Sequence, residues 1–352
     1  MSTIPNSTAT GMTTEVVLPG IVEPEGLQIR TCELAAPGPG RVRVAVEATG
    51  VSFAEQQMLR GKYYDQPPFP FVPGYDLVGT VTAVGPDGDE SMIESRYAAV
   101  TKVGAWASDV VLDADDLVEV PDGVDPAAAA TLLINGATAY RMLHLVAEAR
   151  PGQTILVLGA NGGVGNTLVQ LARRDGIRVI GTASPRHHDA LRALGAEPVD
   201  YRDPDMPARV RELAPHGVDA VFDHIGGPGI VDSYRLLGRG GTLVSYGTAS
   251  TKNDTGSSKK PILTLIARLL AWNLLQNGHK ATFFNFWVGR RNATRFRAAL
   301  RADLTEVLQM LARGEITPQI AARLPLSQIS TAMRLAESGT VTGKVVIEPQ
   351  RP

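Results

Sequence analysis

The chain has 352 residues, 44% of them hydrophobic and 20% charged, proportions of a globular protein with room for two domains. A formal net charge of -2 supplies no basic field, so charge gives no ground for nucleic acid or an anionic membrane as partner. The single cysteine, Cys32, excludes an internal disulfide and a four-cysteine zinc site, and a reducing cytoplasmic compartment is expected.

Met1 to Thr14 is rich in Ser and Thr and lacks the apolar core and basic lead of an export signal, so a disordered start over 1–14 is expected. Arg41 to Glu47 alternates with the period of a half-buried strand. Further strands are expected at Leu77–Val84, Arg96–Val100 and Asp109–Leu112, with breakers at Pro67, Pro68, Pro70 and Gly85 to Gly88. Short strands punctuated this way suggest a barrel-like β domain. Near Asp125 the pattern turns helical, with helices expected at Pro126–Thr131 and Ala137–Ala149.

Beyond Pro151-Gly152 strands and helices alternate. Strands are expected at Thr154–Leu158, Arg178–Gly181, Pro198–Tyr201, Val218–Phe222 and Gly241–Tyr246, with a helix at His188–Leu194, which predicts a parallel sheet covered on both faces. Thr248 to Lys260 is polar and expected to be a mobile loop, followed by helices at Pro261–Gln276 and Arg291–Arg313. Pro261 to Leu275 is the most apolar segment, but it is short and interrupted by Arg268, so no membrane span is expected. A lid or a dimer contact suits it better than a lipid surface, because it has no basic face. Gly343–Ile347 reads as a last strand that could return to the first β region.

The most informative stretch is Gly159-Ala160-Asn161-Gly162-Gly163-Val164-Gly165. It follows a strand pattern and opens a helix pattern, the context in which such glycines bind a dinucleotide. The backbone can approach a pyrophosphate there, and the helix N-terminus offers free N–H groups to it. Dinucleotide binders selecting NAD place an acid roughly twenty residues on. Here the second strand runs into Ser184-Pro185-Arg186-His187-His188, with no acid before Asp189. Ser184 can bond a 2′-phosphate and Arg186 can pair with it, which predicts NADPH.

Several segments together resemble the medium-chain dehydrogenase/reductase superfamily, and most of all its quinone oxidoreductase branch with the vesicle-protein-like relatives. They are Val46–Val51, Pro70–Asp76, Gly136–Tyr140, the glycine stretch, Phe222–Gly227 and Gly343–Val346, so the likeness covers nearly the whole chain. It implies an α/β protein: a GroES-like β-barrel catalytic domain over 15–136 and 300–352, and a Rossmann domain with a doubly wound parallel sheet over 137–299. It also implies a homodimer. Zinc members carry a Cys where this chain has Ser52 and a Gly-His-Glu segment where it has Gly74-Tyr75-Asp76, so no metal is expected. Without a Lewis acid the easier acceptor is a quinone or an α,β-unsaturated carbonyl.

The same resemblance places further residues. His188 and Tyr201 fall near the ribose phosphate. Asn135 and Thr138 fall at the nicotinamide end, where Asn135 could equally cap a turn. Ile225 and Gly226, then Ser245, Tyr246 and Gly247, end strands over which the cofactor would lie, while His224 reads as packed. Phe284 and Phe286, clustered with Phe283 and Trp287, either wall the nicotinamide pocket or fill core. Lys344 is a cofactor contact by position, or a solvated strand lysine. Ser52 stands near the nicotinamide, and Tyr63 matches a tyrosine that gives a proton in enoyl-thioester reductases, with Tyr64 and water as competitors. An enoyl-thioester reductase and a nucleotide-binding protein with little turnover are the alternatives to a quinone or enone reductase.

Overall fold

The computed structural model describes residues 10–251 and 259–351. Two compact units emerge: one takes the chain up to Ala137 and again from Gly289, the other is Thr138–Val288. The return at Gly289 comes earlier than the expected 300.

The first unit opens on β1 (Gly11–Val17), paired antiparallel with β2 (Gln28–Leu34). Part of the expected disordered start is therefore strand. Thr13 is 3% exposed and its hydroxyl donates to Asp109 O at 2.8 Å, a long-range anchor that composition does not reveal. Residues 1–9 lie outside the described part.

The unit continues with β3 (Arg41–Val51), α1 (Phe53–Leu59), β4 (Asp76–Val84), β5 (Arg96–Val100), β6 (Asp109–Asp113), β7 (Val118–Glu119) and α2 (Pro126–Tyr140). The inward residues of β3 and β4 build its core, with Val42, Val44, Val46, Leu77 and Val81 almost fully buried. Two helices were expected around Asn135-Gly136, but α2 runs through and passes into a π-helical turn, Arg141–Val146. Gly136 is where a Cβ would meet Val307 Cγ1 at 2.7 Å, so the glycine serves helix packing there and not a break.

The second unit alternates as predicted: β8 (Thr154–Val157), α3 (Gly163–Arg174), β9 (Arg178–Ala183), α4 (His188–Ala193), β10 (Glu197–Asp200), α5 (Met206–Leu213), β11 (Val218–Asp223), α6 (Ile230–Arg235), β12 (Leu237–Ser245), α7 (Lys259–Asn273) and β13 (Lys280–Phe283). The six strands pair in the order β10-β9-β8-β11-β12-β13, all parallel, the doubly wound arrangement that reverses direction at β8. Leu156, Ile180, Val221 and Leu243 fill its core. The sixth strand, β13, was not expected. The loop expected over Thr248 to Lys260 lies partly outside the described residues, and Ala249–Thr251 forms a 3-10 turn.

The chain then re-enters the first unit with α8 (Ala293–Ala312), β14 (Ile320–Pro325), α9 (Ile329–Glu337) and β15 (Lys344–Glu348). Arg297 on α8 bonds Asp113 at 2.7 Å and pairs with Asp116, which explains the early return. The seven-stranded sheet runs β14-β15-β3-β4-β5-β7, with β6 also on β3. The last strand thus returns to the first β region. Among the described residues no helix is long and apolar enough to cross a membrane.

Candidate active site

The turn between β8 and α3 lies at the sheet's reversal point. Gly159 holds φ +66°, and a Cβ on it would stand 2.3 Å from His224 Cε1. Gly159 N–H donates to Thr182 Oγ1 at 3.1 Å and Ala160 N–H to Thr182 O at 2.9 Å, which lock the turn against β9. Gly165 packs on the turn itself, since a Cβ there would meet Gly159 O at 2.3 Å. Gly162 caps α3, so the N–H groups of Gly163 and Val164 have no acceptor inside the helix. Asn161 is half-buried and Gly162 exposed at the same mouth. A turn of this shape fits a dinucleotide pyrophosphate.

At the end of β9, Ser184 is nearly buried and makes no side-chain cap bond, and Arg186 is exposed with its Nε at 3.0 Å from His187 Nε2. Desolvation, aided by Arg186 and His188, holds the His187 pKa below its ordinary value. His188 gives its ring instead to Ala183 O, at 3.2 Å from Nε2. Tyr201 follows β10 next to this end, 47% exposed, with the Arg202 guanidinium over its ring at 5.2 Å to the centroid. Sequence reasoning passed over Arg202; its place directly after Tyr201 was the available signal.

Asp223, 1% exposed, accepts from Ile225 N at 2.8 Å, Gly226 N at 2.9 Å and Ser233 Oγ at 2.7 Å. It therefore fixes the turn that carries two of the expected cofactor contacts, a role the sequence did not disclose. His224 faces Leu158 O through Nδ1 at 3.1 Å, and desolvation holds its pKa below the ordinary value. Ser245 Oγ is buried with no partner among the described residues. Burial raises the Tyr246 phenol well above its ordinary range, with Asp223 adding to it. Gly247 passes tightly over His224, leaving 2.6 Å between a Cβ and His224 O. Phe284 N–H donates to Ser245 O at 2.7 Å, and Phe286 is 8% exposed under Arg141 at 5.0 Å. Thr138 is buried in α2, and Asn135 bonds Thr131 O at 3.2 Å within the same helix.

In the first unit, Ser52 caps α1 in a capping box with Glu55. Tyr63 is 7% exposed, its hydroxyl 2.6 Å from that of Tyr75, and Tyr64 packs at 4.6 Å between ring centroids. Desolvation raises the Tyr64 pKa, with Tyr63 adding to it. Lys344 is 4% exposed, which corrects the solvated-lysine alternative: its ammonium donates to Asp76 Oδ2 at 2.7 Å and Ala130 O at 3.0 Å. Asp76 Oδ1 takes Gly50 N at 3.2 Å. Ser52, Tyr75 and Asp76 offer neither thiolate nor imidazole, and each is already bonded, so the set does not fit a zinc ion.

Two family models match the chain, the alcohol dehydrogenase GroES-like domain over residues 38–122 and the zinc-binding dehydrogenase over residues 194–347. The rat synaptic vesicle membrane protein VAT-1 homolog is 32% identical over 333 residues, which cover 92% of this chain and 80% of the rat protein. The structure of a Pseudomonas syringae quinone oxidoreductase is similar at 27% identity and TM-score 0.82, covering 96% of this chain and 100% of that one. A mycobacterial structure complexed with NADPH is similar at 27% identity and TM-score 0.79, with coverage of 96% and 100%. The chain belongs to the medium-chain dehydrogenase/reductase family of oxidoreductases, whose nicotinamide cofactor suits the glycine turn. Within that family its place is the quinone oxidoreductase-like branch.

Proposed function

We propose that the chain is a zinc-independent reductase that uses NADPH to pass a hydride to a quinone or an α,β-unsaturated carbonyl. The observation that carries this reading is the end of β9, where Ser184 and the exposed Arg186 stand beside Tyr201 with no carboxylate before Asp189. A 2′-phosphate finds a hydroxyl and a guanidinium there, and a bare ribose finds no acid to take its hydroxyls. The glycine turn holds the pyrophosphate, and the backbone at Ile225, Gly226 and Ser245 to Gly247 lies along the cofactor. When bound, the cofactor supplies the hydride. A conjugated acceptor spreads the resulting charge onto oxygen, so no metal is required. Tyr63 and Ser52 are the hydroxyl groups that meet the anion. The enzyme works in the cytoplasm as a homodimer, and β13, one of the two edge strands of its sheet among the described residues, supports such pairing.

The test measures oxidation of NADPH and of NADH with a naphthoquinone and with a simple enone. NADPH-selective oxidation by either acceptor supports the proposal. Equal or better use of NADH overturns the cofactor assignment, and no oxidation with either acceptor overturns the reductase.

A further inference from the structure

Glu55 is a buried acid that the cofactor site does not use. It is 0% exposed, whereas a capping-box glutamate needs only to reach back to the cap residue. Its Oε2 takes Ser52 N–H at 2.9 Å and lies in close contact with Ser52 Oγ. Its Oε1 is buried with no partner among the described residues. Asp76 on β4, also 0% exposed, acts on Glu55, and Lys344 on β15 opposes it. Asp76 and Lys344 already neutralise one another at 2.7 Å. An ionised Glu55 would add a second carboxylate around a single ammonium, leaving one buried charge uncompensated. A protonated Glu55 leaves none. Burial, the largest influence on this carboxyl, pushes its pKa up in the same direction.

We propose that Glu55 is held as a neutral carboxylic acid whose Oε2–H is donated to Ser52 Oγ, so that Glu55 supplies the proton which Ser52 delivers. This rests on the reductase reading above. Ser52 is half-buried, so the pair runs from the interior of the unit outward. With Glu55 as donor, the Ser52 hydroxyl hydrogen is released from Glu55 and free to point at a ligand. Hydride transfer leaves an enolate or hydroquinone anion. The Ser52 O–H bond then breaks toward that anion, Ser52 Oγ takes the Oε2 proton, and the Glu55 carboxylate regains a proton from water. No oxidant or reductant beyond the hydride donor is needed. Glu55 acts through Ser52 and is a positioning residue.

Glu55→Gln keeps the shape and an oxygen acceptor for Ser52 N–H while removing the acid. Two readouts on the full chain decide. In the infrared difference between wild type and Glu55→Gln at neutral pH, a carboxylic C=O band is expected, and its absence overturns the neutral acid. In kcat/KM against pH with NADPH and an enone, wild type is expected to fall toward alkaline pH as Glu55 loses its proton. Glu55→Gln is expected to be roughly tenfold slower or worse, the order of a lost general acid, and to lack that limb, with NADPH binding unchanged. Ser52→Ala, which retains Glu55, is expected to lose the same limb and guards against a folding defect in the first variant. A purely structural cap would lower thermal stability and leave the profile's shape intact, and that result overturns the proposal. If wild type reduces no acceptor, the reductase reading and the delivery step fall together, while the infrared band still decides the protonation of Glu55.

Discussion

Lys344 and Asp76 form a buried ion pair, 2.7 Å from Nζ to Oδ2, joining the first residue of β15 to the first residue of β4. The ammonium reaches Asp76 across Gly50, where a Cβ would collide with Lys344 Cε. Lys344→Met strands the Asp76 charge in the interior and is expected to cost about 3–5 kcal/mol in denaturant unfolding. The double variant Asp76→Asn with Lys344→Met is expected to recover much of that loss, because no uncompensated charge remains.

Arg186→Ala is expected to raise the Kd for NADPH by roughly 10- to 100-fold, the size of one hydrogen bond to a charged group. The Kd for NADH should hardly move, since it carries no 2′-phosphate. Calorimetric titration of both cofactors checks it. A parallel loss for both would place Arg186 elsewhere.

Gly159→Ala asks an L-residue to hold φ +66° and sets a methyl against the His224 ring. At least about 1 kcal/mol of stability is expected to go on backbone conformation alone. His224→Ala in the Gly159→Ala background removes the obstructing ring and is expected to restore NADPH binding while the backbone cost remains. Thermal melting and a binding titration separate the two contributions.

The raised pKa of Glu55 sets a pH dependence of stability. The unfolded chain ionises this group near the ordinary 4.5, and the folded chain holds its proton to higher pH. Its contribution is therefore complete below the ordinary value and is lost as pH rises through the folded value. Glu55→Gln escapes that loss. Its Tm relative to wild type is expected to be more favourable at about pH 8 than at about pH 5, and a constant difference would argue against a raised folded value.

Tyr63→Phe removes a hydroxyl that contacts Tyr75 at 2.6 Å. A drop in kcat of roughly 10²-fold is expected for the loss of a hydrogen-bond donor to the anion, with NADPH affinity unchanged. Tyr75→Phe, which only loosens Tyr63, is expected to cost less. Steady-state kinetics with an enone distinguishes them, and equal losses would make the two hydroxyls a single unit.

The second unit was the more legible part of the chain because its signals are local. Apolar runs, glycine turns and helical periods lie within a few residues of each other, and β9 and β11 fall within two residues of expectation at each end. What escaped depends on distant partners. β1 is held through Thr13 and Asp109, 96 residues apart, and the gap between the two expected helices is filled by continuous helix where Val307 packs on Gly136. The burial and pairing of the candidate residues were not legible in the sequence. Nothing near Lys344 in sequence announces Asp76, 268 residues away, and nothing in Ser52-Phe53-Ala54-Glu55 distinguishes a surface cap from a buried acid.

The pairing of β15 between β14 and β3 governs how the nascent polypeptide acquires its shape. During synthesis, Thr138–Val288 leaves the ribosome whole and can collapse on its own contacts, while Thr49–Val51 of β3, the stretch beyond its pairing with β6, waits for β15. That interval leaves the end of β3 unpaired, so placing β14 to β15 ahead of β1 by circular permutation would shorten the delay and speed maturation.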